Sequence, residues 1–278
     1  MRLRSLLFVP GDRPERFAKA AASGADAIIL DLEDSVAAER KDFAADAVRD
    51  YLGDRVGVTR LVRINPLGGA GQARDLSVAA LADAVMLPKA EGAATIAALL
   101  DALPGCPPIL PIATETPAAL FQLGSYTAHA DRLCGLTWGA EDLPAAIGAA
   151  TSREEDGSYT APYQLARSLT LFGAHAAGVA AIETVFPAIR DMEDLAAYAA
   201  RGALDGFTGM MALHPAQVEP INAAFTPSAQ AVAWARAVVD AFATSPGAGV
   251  LTVDGKMVDA PHRKAAERIL ARTDQDAR

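Results

Sequence analysis

The chain has 278 residues, of which 51% are hydrophobic and 21% charged, and its formal net charge is −9. That length fits one (β/α) barrel of about 250 residues, and the balance of apolar to charged residues excludes an intrinsically disordered chain. The acidic balance, with no Lys/Arg-rich block, argues against a nucleic-acid partner, and no run of about 18 apolar residues is there to span a membrane.

Arg2 and Arg4 precede the apolar Leu6-Leu7-Phe8-Val9. This stretch is too short for the core of a secretion signal and stops at Pro10-Gly11, so a cytoplasmic location is expected. Short apolar runs bounded by turn residues then recur along the chain: Ser5–Val9, Ala27–Leu32, Leu61–Asn65, Ala84–Pro88, Ile109–Ala113, Leu133–Trp138, Val179–Val185 and Gly206–Leu213. Most are apolar on both faces, as parallel strands covered by helices should be. Ala-rich stretches of helical period separate them. Pro14–Ala22 follows the start signals Asp12 and Pro14, and Ala93–Leu103 gathers Ile96, Leu99, Leu100 and Leu103 on one face. Such an alternation, eight times in about 215 residues, predicts an α/β fold of the (β/α)8 TIM-barrel type. A doubly wound sheet is the alternative, but "GGAGQ" at Gly68–Gln72 lacks the GxGxxG spacing and reads as a flexible loop.

Past residue 225 the pattern changes. Thr226–Ala243 reads as a helix with Pro227 at its start, "SPGAG" at Ser245–Gly249 breaks it, and a short strand or turn leads to a last helix, Pro261–Ala271. Residues 1–225 are therefore expected to form the barrel and residues 226–278 a C-terminal helical extension. The last helix is marginal alone, so Ala265, Ile269 and Leu270 must be buried somewhere. A neighbouring subunit of a homo-oligomer is the expected partner, and the helix's own barrel is the alternative.

In such a barrel the C-terminal ends of the strands build the active face. Charged or polar residues follow each run in turn: Asp12-Arg13, then Asp31, Glu33 and Asp34, then Arg63 and Asn65, Lys89, Glu115, Glu141-Asp142, Glu183 and His214. Carboxylates crowded at one mouth raise one another's pKa unless a cation offsets them, and a divalent metal with oxygen ligands commonly does so. Glu115 and Asp142, on adjacent strands, are the best-placed pair for Mg²⁺, which takes one or two carboxylates together with water and substrate oxygens. An ion pair of Glu115 with Lys89 is the other reading. For Glu33, Glu141 and Glu183, structural pairing and chemistry stay equally open. Arg63 lies inside "LVRIN", where a guanidinium must pair. It meets the Asp31/Glu33/Asp34 cluster, a substrate carboxylate, or both, with the acids orienting an arginine that meets substrate. Asp31 therefore counts with Arg63 among the candidate catalytic residues. His129, His175, His214 and His262 show no zinc-type spacing, and no GxSxG elbow is present. Cys106 and Cys134 read as free thiols, with a disulfide between them as the alternative.

The blocks "LLFVPGDRPERFAKA", "DAIILDLEDSV", "VRINP", "VMLPKAE", "WGAEDL", "GFTGMMALHPAQV" and "DGKMVDAPHRKAA" occur in this order over nearly the whole chain. With them the sequence resembles the HpcH/HpaI aldolase and citrate lyase β-subunit superfamily, and within it the CitE-like acyl-CoA lyases, which include malyl-CoA and citramalyl-CoA lyases. The resemblance implies that Glu115 and Asp142 bind Mg²⁺ and that Arg63 is the partner of the substrate carboxylate and enolate. It implies that Phe8, Arg13 and Lys19 contact the CoA thioester, with Leu213-His214 as a further ligand-contacting pair. Gly139, Ala140 and Glu141 would line the site. Asp259 in "GKMVD" matches a catalytic aspartate that a neighbouring subunit's C-terminal segment delivers. One departure is Met210, where the family commonly has a lysine. The implied activity is a Mg²⁺-dependent lyase that cleaves a 3-hydroxy-3-carboxyacyl-CoA of malyl, citramalyl or citryl type to a 2-oxo acid and an acyl-CoA, in a homotrimer or hexamer. The rival readings are a 2-keto acid aldolase without CoA, and a citrate lyase β-subunit that works beside an acyl-carrier protein and a transferase.

Overall fold

The computed structural model describes residues 1–54 and 57–276. Eight strands alternate with helices: β1 (Ser5–Pro10), β2 (Ala27–Asp31), β3 (Thr59–Arg63), β4 (Ala84–Leu87), β5 (Ile109–Pro111), β6 (Gly135–Thr137), β7 (Ala180–Glu183) and β8 (Gly209–Ala212). They form one parallel sheet in the order β5-β4-β3-β2-β1-β8-β7-β6. Its two outer strands meet through parallel bridges at Ile109–Leu133 and Ile112–Thr137, so the sheet closes into the expected barrel. Each apolar run carries one strand. The runs overshoot several strand ends because the next residues, such as Leu32, Ile64 and Ala113, stay buried after strand pairing has stopped.

Side chains alternate across a strand, and this parity decides what reaches the barrel interior. Leu6, Ala27, Ile29, Leu61, Met86, Leu110, Ile182 and Met211 pack there in one buried cluster. The next inward positions of β1, β2 and β3 are Phe8, Asp31 and Arg63, which lie at the C-terminal end. Parity sends Glu183 the other way, a correction to its expected place at the mouth. Between inward Ile182 and Thr184, it faces the helices and is fully buried. There it accepts hydrogen bonds from Trp138 Nε1 (2.5 Å) and the Tyr198 hydroxyl (3.0 Å), and it pairs with Arg167 (2.6 Å). At the opposite end of the barrel, Arg4 Nε–Asp26 (2.9 Å) and the Arg60 amide and Nε to Asp83 (2.8 and 3.2 Å) tie strand beginnings together.

The chain divides into two compact units, the first running to Asn222 and the second beginning at Ala223. In the second, a helix (Ala229–Thr244) precedes a hairpin of β9 (Val250–Val253) and β10 (Lys256–Asp259), and a last helix (Ala260–Asp276) follows. Asp254 and Gly255 join the strands, both at positive φ (49° and 74°), as a two-residue hairpin turn requires. Ala235, Val238, Phe242, Val253, Val258 and Ala266 form its core, with Ile269 and Leu270 packed against it. The last helix thus covers its apolar face inside its own unit, and burial of that face alone requires no neighbour. Ala266 supplies the contact expected of Ala265, which is exposed. Among the described residues no helix is long and apolar enough to cross a membrane, and both cysteines are free thiols.

Gly209 sits where β8 meets the entry to β1, and a Cβ there would lie 1.7 Å from the Leu3 carbonyl oxygen. Gly209→Ala should therefore destabilise the fold by roughly 3 kcal/mol in urea unfolding. Gly124→Ala, where a Cβ meets nothing within 4 Å, should change little. A Gly209→Ala loss as small as that of Gly124→Ala would show that this seam yields without cost.

Candidate active site

A cavity of about 740 Å³ opens at the C-terminal ends of the strands. Of the residues singled out in the sequence, Phe8, Lys19, Asp31, Arg63, Glu115, Gly139, Ala140, Glu141, Asp142, Leu213 and His214 line it. Arg13 is not in the lining. Its side chain is 54% exposed, with Asp12 3.9 Å away, and Arg16 lines the cavity in its place. Arg13 stands at the N-cap of the 3-10 turn Pro14–Arg16, with φ −125° and ψ 62°, outside the turn's own conformation. Thr184 also lines the wall, and parity from Ile182 would have found it. Met210 is fully buried and does not line the cavity, whereas Met211 does.

The β2–β3 register places Asp31 directly beside Arg63. Arg63 Nε and Nη2 donate to the two Asp31 oxygens at 2.7 and 2.6 Å, and Nη1 lies 2.8 Å from Glu33 Oε2. The guanidinium stands 4.9 Å from the centre of the Phe8 ring. Burial alone would raise the Asp31 pKa, but the two-point bond to Arg63 outweighs it and holds this carboxyl below its ordinary range. Burial likewise works against the Arg63 charge, and the Asp31 hydrogen bonds outweigh it, so the guanidinium pKa lies above its ordinary value. Breaking such a pair by removing one partner costs about 3–5 kcal/mol. Asp31 also accepts from the amides of Glu33 (2.9 Å) and Ser35 (3.2 Å), which fixes the loop after β2. Lys41 secures that loop from behind, donating to Leu32 O, Glu33 O and Asn65 Oδ1 at 2.8 Å each. Asn65 is thus part of the scaffold. A guanidinium has five N–H donors. Asp31 takes the Nε donor and one on Nη2, and the Nη1 contact with Glu33 is an ion pair without a hydrogen bond. Two donors therefore remain on Nη1 and one on Nη2.

Lys89 follows β4 with φ at 49°, a left-handed conformation that costs a residue with a side chain about 1–2 kcal/mol. Its amide donates to Glu115 Oε2 at 2.5 Å, while its ammonium lies 3.1 Å from Glu33 Oε1 and 3.3 Å from Asp142 Oδ1. Lys89 therefore meets Glu115 through its backbone and spends its charge elsewhere. Glu115 is only 3% exposed. Burial pushes its carboxyl up to about 8; the Lys89 amide opposes this, and the charges of Asp142 and Glu33 add to it. Burial also raises the Glu33 pKa, against the Arg63 charge. Asp142 opens the helix Asp142–Ile147 and is a third exposed. Gly139 leaves room beside the pair, because a Cβ there would sit 3.0 Å from Glu115 Cγ and 3.5 Å from Oε1. Thr114 Oγ1 accepts from the Gly139 amide at 3.2 Å and holds it there.

Among the described residues no group of three or more His, Cys, Asp or Glu could hold a metal. What Glu115 and Asp142 offer is an incomplete shell of carboxylate oxygens, open to water and ligand. Hard cations such as Mg²⁺ use shells of this kind, so the donors present fit such an ion. Asp259 belongs to the second unit, at the end of β10, where Oδ1 lies 2.6 Å from His262 Nδ1. The His262 hydrogen bond lowers its pKa.

Residues 4–215 match the HpcH/HpaI aldolase/citrate lyase family. The chain is 42% identical over 268 residues to the citrate lyase subunit beta-like protein of Mycobacterium tuberculosis, covering 96% of this chain and 94% of that one. It is 34% identical over 280 residues to the (3S)-malyl-CoA thioesterase of Cereibacter sphaeroides, covering 98% and 94%. The crystal structure of CitE from Mycobacterium tuberculosis in complex with magnesium, acetoacetate and coenzyme A matches with a TM-score of 0.82 at 39% identity, over 98% of each chain.

Glu115 sets a pH dependence. Its pKa is raised from 4.5 to about 8 by folding, so the folded chain keeps a proton that the unfolded chain releases across that window. Stability without added metal should fall as pH rises through the window and level off above it. Glu115→Gln should remove this part of the slope in thermal unfolding from pH about 5 to about 9. An unchanged slope would show that Glu115 ionises at an ordinary pH.

Proposed function

The chain belongs to the HpcH/HpaI aldolase/citrate lyase family, among its citrate lyase β-subunit-like enzymes, and on that premise we propose that it is a Mg²⁺-dependent carbon–carbon lyase. Its substrate would be a 3-hydroxy-3-carboxyacyl-CoA of malyl, citramalyl or citryl type, cleaved to a 2-oxo acid and an acyl-CoA in the cytoplasm. The observation that carries this reading is the juxtaposition of Arg63, with donors left on both terminal nitrogens, and the carboxylates of Glu115 and Asp142 in one cavity. The relatives point the same way: one is named for a malyl-CoA substrate, and the CitE structure contains magnesium and coenzyme A.

Glu115 and Asp142 would hold the ion, which when bound supplies positive charge to the oxygens of the 2-oxo acid portion. Arg63 takes the substrate carboxylate on its free edge, oriented by Asp31 behind it and by the Phe8 ring beside it. As the hydroxyl proton passes to water at the open mouth, the C–O group becomes the 2-oxo carbonyl and the C–C bond breaks. The electron pair of that bond stays on the thioester as an enolate, whose charge needs a cation already in place. Arg63 is the fixed cation nearest this role, since its partners prevent it from reorienting. Lys19, Leu213 and His214 also line the cavity and would contact the CoA portion. Asp259, delivered by a neighbouring subunit of a homotrimer or hexamer, would exchange the proton on the enolate carbon. In cleavage Asp259 must hand a proton to that carbon; in the reverse condensation its carboxylate, kept ionised by the His262 hydrogen bond, takes one from the acyl group.

The test is an assay of the purified protein with malyl-, citramalyl- and citryl-CoA, read as released 2-oxo acid. Cleavage should require Mg²⁺ and stop with a chelator. Arg63→Lys, which keeps the charge but not the planar fork, should lower turnover roughly 100-fold with little change in melting temperature. Mixing Asp259→Ala with Glu115→Ala should restore part of the activity by subunit exchange. Chelator-resistant cleavage, or near-wild-type turnover in Arg63→Lys, would contradict the assigned chemistry. No recovery after demonstrated exchange would place the whole site in one chain.

A further inference from the structure

One residue holds both carboxylates of the proposed metal pair. The Lys89 amide donates to Glu115 Oε2, and its ammonium lies 3.3 Å from Asp142 Oδ1. The same ammonium is 3.1 Å from Glu33 Oε1, and the other oxygen of Glu33 is 2.8 Å from Arg63 Nη1. A line of alternating charge therefore runs from Arg63 through Glu33 and Lys89 to Asp142. Glu33 is 2% exposed and cannot follow its partners into solvent, so it keeps the ammonium beside Asp142.

We propose that Lys89 is a positioning residue that stands in for the divalent cation at Asp142 and couples metal binding to binding of the 2-oxo acid. A cation entering between Glu115 and Asp142 must take Asp142 from Lys89. The ammonium, still tethered by Glu33, then stays within a few ångströms of a doubly charged ion. Like charges at that distance repel strongly at the low effective dielectric of a half-buried site. The bare ion is thereby disfavoured. An arriving carboxylate, placed between ion, Lys89 and Arg63, relieves the repulsion, and the two ligands bind each other's complex more tightly than the free protein. This inference rests on the reading of Glu115 and Asp142 as the metal ligands.

Calorimetric titration of the full chain tests it, first with Mg²⁺ alone and then with pyruvate added to the Mg²⁺-saturated protein. Lys89→Met should bind Mg²⁺ alone about tenfold more tightly than the wild type, and pyruvate about tenfold more weakly. Lys89→Arg, which keeps the charge, should stay close to the wild type in both. A lysine that only supports the fold would, on removal, weaken both ligands. Mg²⁺ affinity in Lys89→Met at or below that of the wild type overturns the proposal, as does a Lys89→Arg variant that behaves like Lys89→Met. If Glu115→Ala and Asp142→Ala both retain Mg²⁺ binding, the ligand assignment is wrong and the proposal falls with it. If those variants lose the ion while Lys89→Met binds it as the wild type does, only the role of Lys89 is lost. Should Lys89→Met fail to fold, Lys89→Gln carries the same two readings.

Discussion

The two-point contact between Arg63 and Asp31 organises the mouth of the barrel. It is built by register, because β2 and β3 place the two residues side by side at the last paired position of each strand. Neither partner is tolerable alone at such burial, with side chains 12% and 1% exposed. Their mutual hydrogen bonds reverse the burial penalty on each, and the amides of Glu33 and Ser35 add to the hold on Asp31. The result is a guanidinium whose plane and edge are fixed before any ligand arrives. A flexible cation would have to give up side-chain freedom on binding; this one has already done so during folding.

From Arg63 the charge pattern spreads across the mouth. Glu33 shares its oxygens between Arg63 and Lys89, and Lys89 reaches Asp142 while its amide braces Glu115. The buried carboxylates outnumber these cations, and the excess shows in Glu115, which burial and its acidic neighbours push up to about 8. A site in that condition favours an added positive charge. Stability and binding are thus opposed at Glu115: the feature that makes it costly to ionise in the folded chain is what a bound cation relieves.

Much of this was legible in the sequence. The strands stood out because both faces of a helix-covered parallel strand are buried, which leaves unbroken apolar runs. The charges at their ends stood out against those runs. What failed was local geometry. Glu183 looked like another strand-end acid, but strand parity turns it outward to Arg167 and Tyr198. Arg16 lines the cavity and Arg13 does not, a difference of side-chain direction that residue type does not announce. An ion pair of the Lys89 side chain with Glu115 is the alternative that the sequence leaves open. The positive φ of Lys89, which residue type does not announce, instead presents the amide to Glu115 and frees the ammonium for Glu33 and Asp142. Ala265 and Ala266 differ by one helical position, about 100° around the axis, which sequence periodicity resolves poorly in a short amphipathic helix.

The central claim is that one preformed assembly presents the free edge of Arg63 beside a two-carboxylate cation site. A crystal structure of the protein with Mg²⁺ and pyruvate measures this directly. The account predicts the ion on Glu115 and Asp142, and the pyruvate carboxylate within about 3 Å of the terminal Arg63 nitrogens, with the Arg63–Asp31 pair intact. An ion bound elsewhere, or a pyruvate carboxylate held away from Arg63, would contradict it.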